Sequence, residues 1–247
     1  NIDGDTAMGT MLKYGSEAAK QFYEMCVIDP RFAKAHREGD IHIHDMDFYT
    51  LTTTCCQIDL RRLFKGGFST GHGVLREPND IASYSALACI AIQSNQNDQH
   101  GGQSICDFDY GLALGVKKTY RRLYKKHLAE ALELLTEIEN PRETSEIIVG
   151  RVEGETGKVA ELVMNTTFVS AVHAELSELG LEEKSAEKVL HYAETAAKRD
   201  TDRATFQAME ALIHNLNTMH SRAGAQTPFS SINYGMDTSA EGRTVIK

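Results

Sequence analysis

The sequence is short of basic charge. Its 26 lysines and arginines face 35 aspartates and glutamates, for a net charge of −9. That balance excludes a broad nucleic-acid-binding surface. No apolar run approaches the roughly 20 residues that a membrane span needs. The opening Asn-Ile-Asp-Gly-Asp is no signal peptide. Cysteines are few and unpatterned. Cys26, Cys55, Cys56, Cys89 and Cys106 are odd in number and lack C-x-x-C spacing. A disulfide framework and a structural zinc site are therefore not expected, and reduced thiols in a cytoplasm are. The sequence has no nucleophile elbow, and its glycine-rich stretch lacks the phosphate-loop pattern. It has no internal repeat. It also lacks an initiator Met, and its last residues, Arg243 to Lys247, carry no stop signal. A piece of a longer protein is expected.

What the sequence does hold is a polar strand. Thr52-Thr53-Thr54-Cys55-Cys56-Gln57-Ile58-Asp59-Leu60 suits a pleated, half-buried surface. Strand side chains alternate between faces. Thr53, Cys55, Gln57 and Asp59 therefore share one face, and Thr54, Cys56, Ile58 and Leu60 the other. The second set is a packing face, and Cys56 fits there as a small hydrophobe. The first sets the Cys55 thiol in a row of polar groups, where a small polar substrate could meet it.

Elsewhere periodicity predicts mainly helices. A helix over 15–27 carries Ala18, Phe22 and Met25 on one face. Asp29-Pro30 breaks it, and a short helix follows over 31–37. Ile41-His42-Ile43-His44 alternates like a strand. Residues 66–73 form a glycine-rich loop. Pro78-Asn79-Asp80 opens a helix in which Ile81, Tyr84, Ala88 and Ile92 keep helical spacing. The amide run 94–103 needs its polar groups paired if it enters a core. A long helix over 108–139 has a continuous apolar stripe through Val116, Tyr120 and Leu128. The polar stretch 143–157 is expected to be a loop or linker. Helices follow over 159–179, 184–198 and 203–220, and 227–235 reads as a second strand with Pro228 at its entry. This order suits an α/β or barrel-type enzyme.

Two clusters could carry chemistry. On a strand, i and i+2 imidazoles can share an ion, so His42 and His44 leave open a metal-dependent hydrolase on a β/α barrel. The further ligands are missing, because His173, His191 and His214 fall in predicted helices. Metal binding is not expected, and structural or substrate-orienting hydrogen bonding is. His36, His72, His100 and His127 are expected at the surface or in loops. Lys117, Lys118, Arg121, Arg122, Lys125 and Lys126 crowd the middle of the long helix. Such runs are usually solvated faces, but a basic cluster in an acidic protein is also a candidate anion site.

Five stretches together resemble the anaerobic (class III) ribonucleoside triphosphate reductases: HREGDIHIHDMDF (36–48), TTTCCQIDL (52–60), GGFSTGHGVLREP (66–78), ALACIAIQSNQNDQHGGQSI (86–105) and NTMHSRAGAQTPFSSINYG (217–235). The resemblance implies an α/β fold, part of a ten-stranded α/β barrel of the glycyl radical type with long flanking helices. Residues 1–247 would be the N-terminal half of the catalytic barrel domain. The ATP-binding region, the finger loop, the glycyl radical domain and a zinc site would lie outside them. The implied reaction reduces ribonucleoside triphosphates to deoxyribonucleoside triphosphates, with formate as reductant. The implied partners are a radical-SAM activating enzyme and a second copy of the chain, with neither nucleic acid nor membrane.

On this resemblance Cys55 is the catalytic strand cysteine. His42, His44, Thr53, Gln57, Ser230, Ser231 and Asn233 are the substrate-binding candidates. Glu77, Asn79, Ile90 and Arg122 are the candidates for an ATP or deoxynucleotide effector. Two alternatives stay open. One is a glycyl radical enzyme of the formate-lyase type, with Cys55 and Cys56 as its adjacent cysteines. The other is an effector-binding dimerisation module built from helices 80–92 and 108–139.

Overall fold

The computed structural model describes residues 3–71 and 73–247; Asn1, Ile2 and His72 lie outside the described residues. The order is α1 (Ala7–Cys26), α2 (Pro30–Glu38), a 3₁₀ turn (Met46–Phe48), β1 (Thr54–Ile58), α3 (Leu60–Phe64), β2 (Phe68–Ser69), β3 (Val74–Leu75), α4 (Ile81–Asp98), β4 (His100–Ile105), α5 (Phe108–Leu135), α6 (Pro141–Thr156), α7 (Thr166–Glu178), α8 (Glu183–Thr218), β5 (Ser230–Ile232) and α9 (Ala240–Val245). The fold is mixed α/β and mostly helical. Among the described residues the main sheet has three parallel strands, in the order β1-β4-β5, beside a short β2–β3 hairpin. These residues do not form a ten-stranded barrel. Parallel neighbours need helical crossovers. Here α4 joins β1 to β4, and α5 to α8 join β4 to β5.

The core lies where α4, α5 and α8 meet. Tyr84, Ile92, Leu112, Val116, Tyr120, Tyr124 and Leu128 are buried there, with Val189 and Leu212 from α8. Asp80 starts α4 with a capping box: its carboxylate accepts the Ser83 N–H at 2.8 Å, and Ser83 Oγ accepts the Asp80 N–H at 3.1 Å. Such a cap satisfies donors that the first turn leaves open. Gly115 lets α5 lie flush on α4, because a Cβ there would stand 2.8 Å from the Tyr84 ring. Asp109, at the start of α5, is fully buried. It accepts the N–H groups of Gly235, Met236 and Asp237 at 2.8–2.9 Å and of Tyr110 at 3.1 Å. It thereby ties the chain after β5 to the helix. Burial pushes its carboxyl up, but the four N–H groups outweigh that and hold it below the usual carboxylate range.

Several sequence expectations change. Stretch 143–157 is no linker: α6 fills it, burying Ser145, Ile148, Val149 and Val152 against α5. Those four keep helical spacing, but the stripe is narrow among charges. The helices expected over 184–198 and 203–220 are one, α8. Thr201 and Thr205 are buried at the supposed break, and neither Gly nor Pro interrupts it. The amide run splits between the end of α4 and the central strand β4. On α1 the face of Phe22 and Met25 is exposed, and Tyr23 packs instead with Ile28, Ala33 and Met46. His127 is not at the surface. It is buried between α5 and α8, with Nδ1 2.6 Å from Glu130 and Nε2 2.9 Å from Asp200.

Candidate active site

The strand cysteine stands at an irregularity in β1. Thr54 pairs with His100 and Cys56 with Gln103, so β4 spends one more residue than β1 across this step. Gly101 and Gly102 take up the excess. Cys55, opposite them, has a left-handed backbone with φ of +62°. A non-glycine residue in that region is strained. A Cβ on Gly101, itself at φ +96°, would lie 3.1 Å from both Cys55 N and Sγ. Close approach of the two backbones therefore depends on glycine.

Beyond the bulge the alternation is regular. Gln57, Ser104 and Ser231 form one row across β1, β4 and β5, and Ile58, Ile105 and Ile232 form the next. The isoleucine row faces the helices, and Ile105 is fully buried. The polar row faces outward into a cleft of about 630 Å³, lined by Cys55, Cys56, Gln57, Gly102, Gln103, Ser104, Phe229, Ser230 and Ser231. Neighbouring strands lie about 4.8 Å apart, so the polar row offers hydrogen-bonding groups across roughly 10 Å. Cys55 is exposed there.

The structure thus brings together Cys55, Gln57, Ser230 and Ser231. It separates them from others. Thr53 lies before the bulge, is exposed, and does not line the cleft; its carbonyl accepts the His100 N–H at 3.4 Å. Asp59 caps α3, accepting the N–H groups of Arg61 and Arg62, each at 3.1 Å. Asn233 follows Ile232 on the exposed side of the sheet but lies outside the cleft lining. Ser230 pairs in register with the buried Gln103, in the row of Cys56.

His42 and His44 are not on a strand. His42 lies in irregular chain and His44 in the turn before the 3₁₀ segment, with His42 Nε2 3.2 Å from His44 Nδ1. His36 Nδ1 accepts the Ile43 N–H at 3.1 Å. The link to the sheet runs through their neighbour Asp45, 3.1 Å from His100 Nε2, and through Phe48, which stacks on His100 at 4.0 Å. His100, expected at the surface or in a loop, instead opens β4 and is half-buried, with partners distant in sequence.

Sequence reasoning missed Ser104. The signal was present: Gly102, Ser104 and Cys106 alternate with Gln103 and Ile105, the period of a strand with one polar face. It also treated Cys56 as packing alone. Cys56 is half-buried, and its sulfur accepts Asn95 Nδ2–H at 2.9 Å. Cys89 is the buried, inert thiol, pushed by burial to about 11.

The effector candidates gather only in part. Glu77 lies just before α4, and Arg122, on α5, reaches the same helix entry. Lys118 Nζ donates to Glu77 at 2.7 Å and to the Pro78 carbonyl at 2.9 Å. The Lys118 ammonium holds the Glu77 carboxyl below its usual range. Arg122 Nη1 donates to Asp80 at 2.9 Å, and Asn79 is the residue before Asp80. Ile90 is half-buried nine residues along α4 from Ile81, about 13 Å away at helical rise. Every cation in the cluster has a carboxylate: Lys117 with Glu161, Lys118 with Glu77, Arg121 with Glu153, Arg122 with Asp80, Lys125 with Glu146 and Lys126 with Glu130. The cluster is therefore an ion-paired strip holding α6 and the α4 entry to α5, rather than a bare positive patch.

An exposed free cysteine on a parallel sheet, beside hydroxyl and carboxamide groups, makes this cleft a candidate site for a small hydroxylated molecule. A family model described as anaerobic ribonucleoside-triphosphate reductase matches residues 1–247, and the chain belongs to that family. Relatives named anaerobic ribonucleoside-triphosphate reductase, an oxidoreductase, are similar to it in Enterobacteria phage T4 (24% identical over 216 residues, 87% of this chain and 26% of the relative). Others occur in Salmonella typhimurium and Escherichia coli, each 24% identical over 229 residues, 92% of this chain and 24% of the relative. The chain thus spans about a quarter of the length of these relatives. No helix among the described residues is long and apolar enough to cross a membrane.

Proposed function

We propose that the chain is part of a radical enzyme that reduces ribonucleoside triphosphates at the ribose 2′ position. Formate is the reductant. It is oxidised to carbon dioxide, and the 2′ hydroxyl leaves as water. Cys55 is the working thiol of this segment. Gln57, Ser104 and Ser231 hydrogen-bond the ribose hydroxyls, and Phe229 packs against the nucleoside. The glycyl radical, the finger-loop cysteine, the ATP-binding region and a zinc site belong to other parts of the enzyme. A radical-SAM activase generates the radical, and the enzyme works as a cytoplasmic homodimer.

The carrying observation is Cys55 itself. It is exposed, held in a left-handed bulge, and set at a cleft that Gln57, Ser104 and Ser231 also line, within a chain of this family. The formate-lyase reading draws no support from the adjacent thiols, since the Cys56 sulfur is engaged as an acceptor for Asn95 on α4. In full-length, activated protein under anaerobic conditions, Cys55→Ser should keep the fold and abolish deoxynucleotide formation. Cys56→Ser should retain activity. Equal losses in the two variants at equal stability would overturn the assignment.

A second reading concerns the same protein's regulation. Glu77, Asn79 and Arg122 converge where α4 begins against α5, and a deoxynucleotide or ATP effector at a dimer interface would exchange its phosphates for the carboxylates now paired there. This makes the α4–α5 face an effector and dimerisation module.

A further inference from the structure

A strained backbone persists only where its surroundings over-determine it. On one side of Cys55, His100 N–H bonds the Thr53 carbonyl, and Thr52 Oγ1 donates to the Asp98 carbonyl at 2.8 Å. On the other side a clamp of two amides, the half-buried Asn95 and the buried Gln103, closes the bulge. Asn95 Nδ2 carries two hydrogens. One goes to Cys56 Sγ at 2.9 Å and the other to Gln103 Oε1 at 2.8 Å. Gln103 is 2% exposed and donates Nε2–H to the Ile92 carbonyl at 2.9 Å. Its own backbone N–H bonds the Phe229 carbonyl at 2.9 Å.

Cys56 and Gln103 are the first register pair after the bulge. One side chain from α4 thus grips both strands at the point where the left-handed residue rejoins the ladder. The donor count closes, because both Asn95 N–H groups are used and the sulfur is the acceptor on β1. A leucine of similar size could fill the space but could not hold the two strands in step.

We propose that Asn95, acting through Cys56 Sγ and Gln103, is a positioning residue that fixes the left-handed turn and so aims the Cys55 thiol into the cleft. The inference rests on Cys55 being the working thiol. Cys56 then serves the site as a hydrogen-bond acceptor and not as a redox partner.

The test reads thiol presentation rather than turnover, so it stands apart from the reductase reading. Full-length protein is treated with iodoacetamide, and alkylation of Cys55 is timed by peptide mass spectrometry against exposed Cys26 on α1. Cys56→Ser keeps an acceptor and should leave the Cys55-to-Cys26 rate ratio within about twofold of the parent. Cys56→Val keeps the volume and favours a strand but accepts nothing. It should lower the ratio by about fivefold or more, as a displaced reactive group does. Asn95→Leu should match Cys56→Val. If Asn95→Leu fails to fold, the Cys56 pair decides alone. An unchanged ratio in Cys56→Val, or equal falls in the Val and Ser variants, would overturn the proposal. Loss of turnover in Cys56→Val, with rescue in Cys56→Ser, would extend it to catalysis.

Discussion

Gly101→Ala is the sharpest probe of how the strand cysteine is held. The new methyl would stand 3.1 Å from both the nitrogen and the sulfur of Cys55, tighter than normal contact. The backbone at φ +96° also disfavours any Cβ, at about 1–2 kcal/mol. Overpacking against a fixed strand adds about 1–3 kcal/mol. The expected destabilisation is therefore about 2–5 kcal/mol. Gly66→Ala is the control. Its φ is +78° but its Cβ meets open space, so only the backbone cost of about 1–2 kcal/mol applies. Urea denaturation of the chain, followed by circular dichroism, gives both values. Cys55→Gly then completes a cycle. It removes the sulfur and relieves the left-handed strain at φ +62°. In the Gly101→Ala background it should recover about 0.5–3 kcal/mol through coupling of the two sites. If Gly101→Ala costs no more than Gly66→Ala, or the cycle shows no coupling, the close approach at the bulge does not constrain Cys55.

Three further outcomes are expected. Arg122→Ala should weaken binding of a deoxynucleoside triphosphate to the full-length protein by about 1.5–3 kcal/mol, and Lys126→Ala should do less; calorimetric titration at fixed salt measures both, and an unchanged Arg122→Ala would mean a solvated face only. Asp109→Asn should destabilise the fold by about 1.5–3 kcal/mol at neutral pH, by weakening bonds to a charged acceptor. Because the folded carboxyl is depressed, this contribution is complete above the ordinary carboxylate range. It is lost as pH falls through the folded value, so the parent–variant gap should hold above about pH 5 and close in stronger acid; a gap constant with pH would refute the assignment. Ile148→Ala should cost about 2–5 kcal/mol if α6 is a packed helix, and a loss under about 0.5 kcal/mol in thermal or urea melts would return that stretch to a surface role.

The polar strand and its cysteine were legible because alternation is a local property. From Cys56 to Leu60 the observed exposure follows the expected faces. The bulge was not legible. It arises from the count of residues on β4, which pairs from more than 40 positions away. The α6 stripe of Ser145, Ile148, Val149 and Val152 was hidden by its charges, which are there to meet Lys125 and Arg121 on α5. The buried place of His127 depends on Asp200, 73 positions away, and spacing carries no trace of such a partner. The start of α4 was readable, since Asp80 caps it in the expected manner, whereas the helix expected from 159 begins only at Thr166, behind Asn165. Helix breaks were harder, because Pro is scarce and polar runs mimic loops.

The paired strip on α5 has a consequence for selectivity by valence. Each ammonium or guanidinium between Lys117 and Lys126 already has an anion of its own. An incoming anion meets a locally neutral surface, so long-range attraction is weak and rates of encounter should change little with salt. Binding there is an exchange, in which a tethered carboxylate must leave before a phosphate oxygen enters. A singly charged anion gains little from such a trade, since the displaced group stays close and competes at high local concentration. A polyphosphate that engages two adjacent cations at once can displace both carboxylates together. The strip would then act as an ion exchanger that passes over chloride and orthophosphate and answers only to ligands carrying several charges in a row.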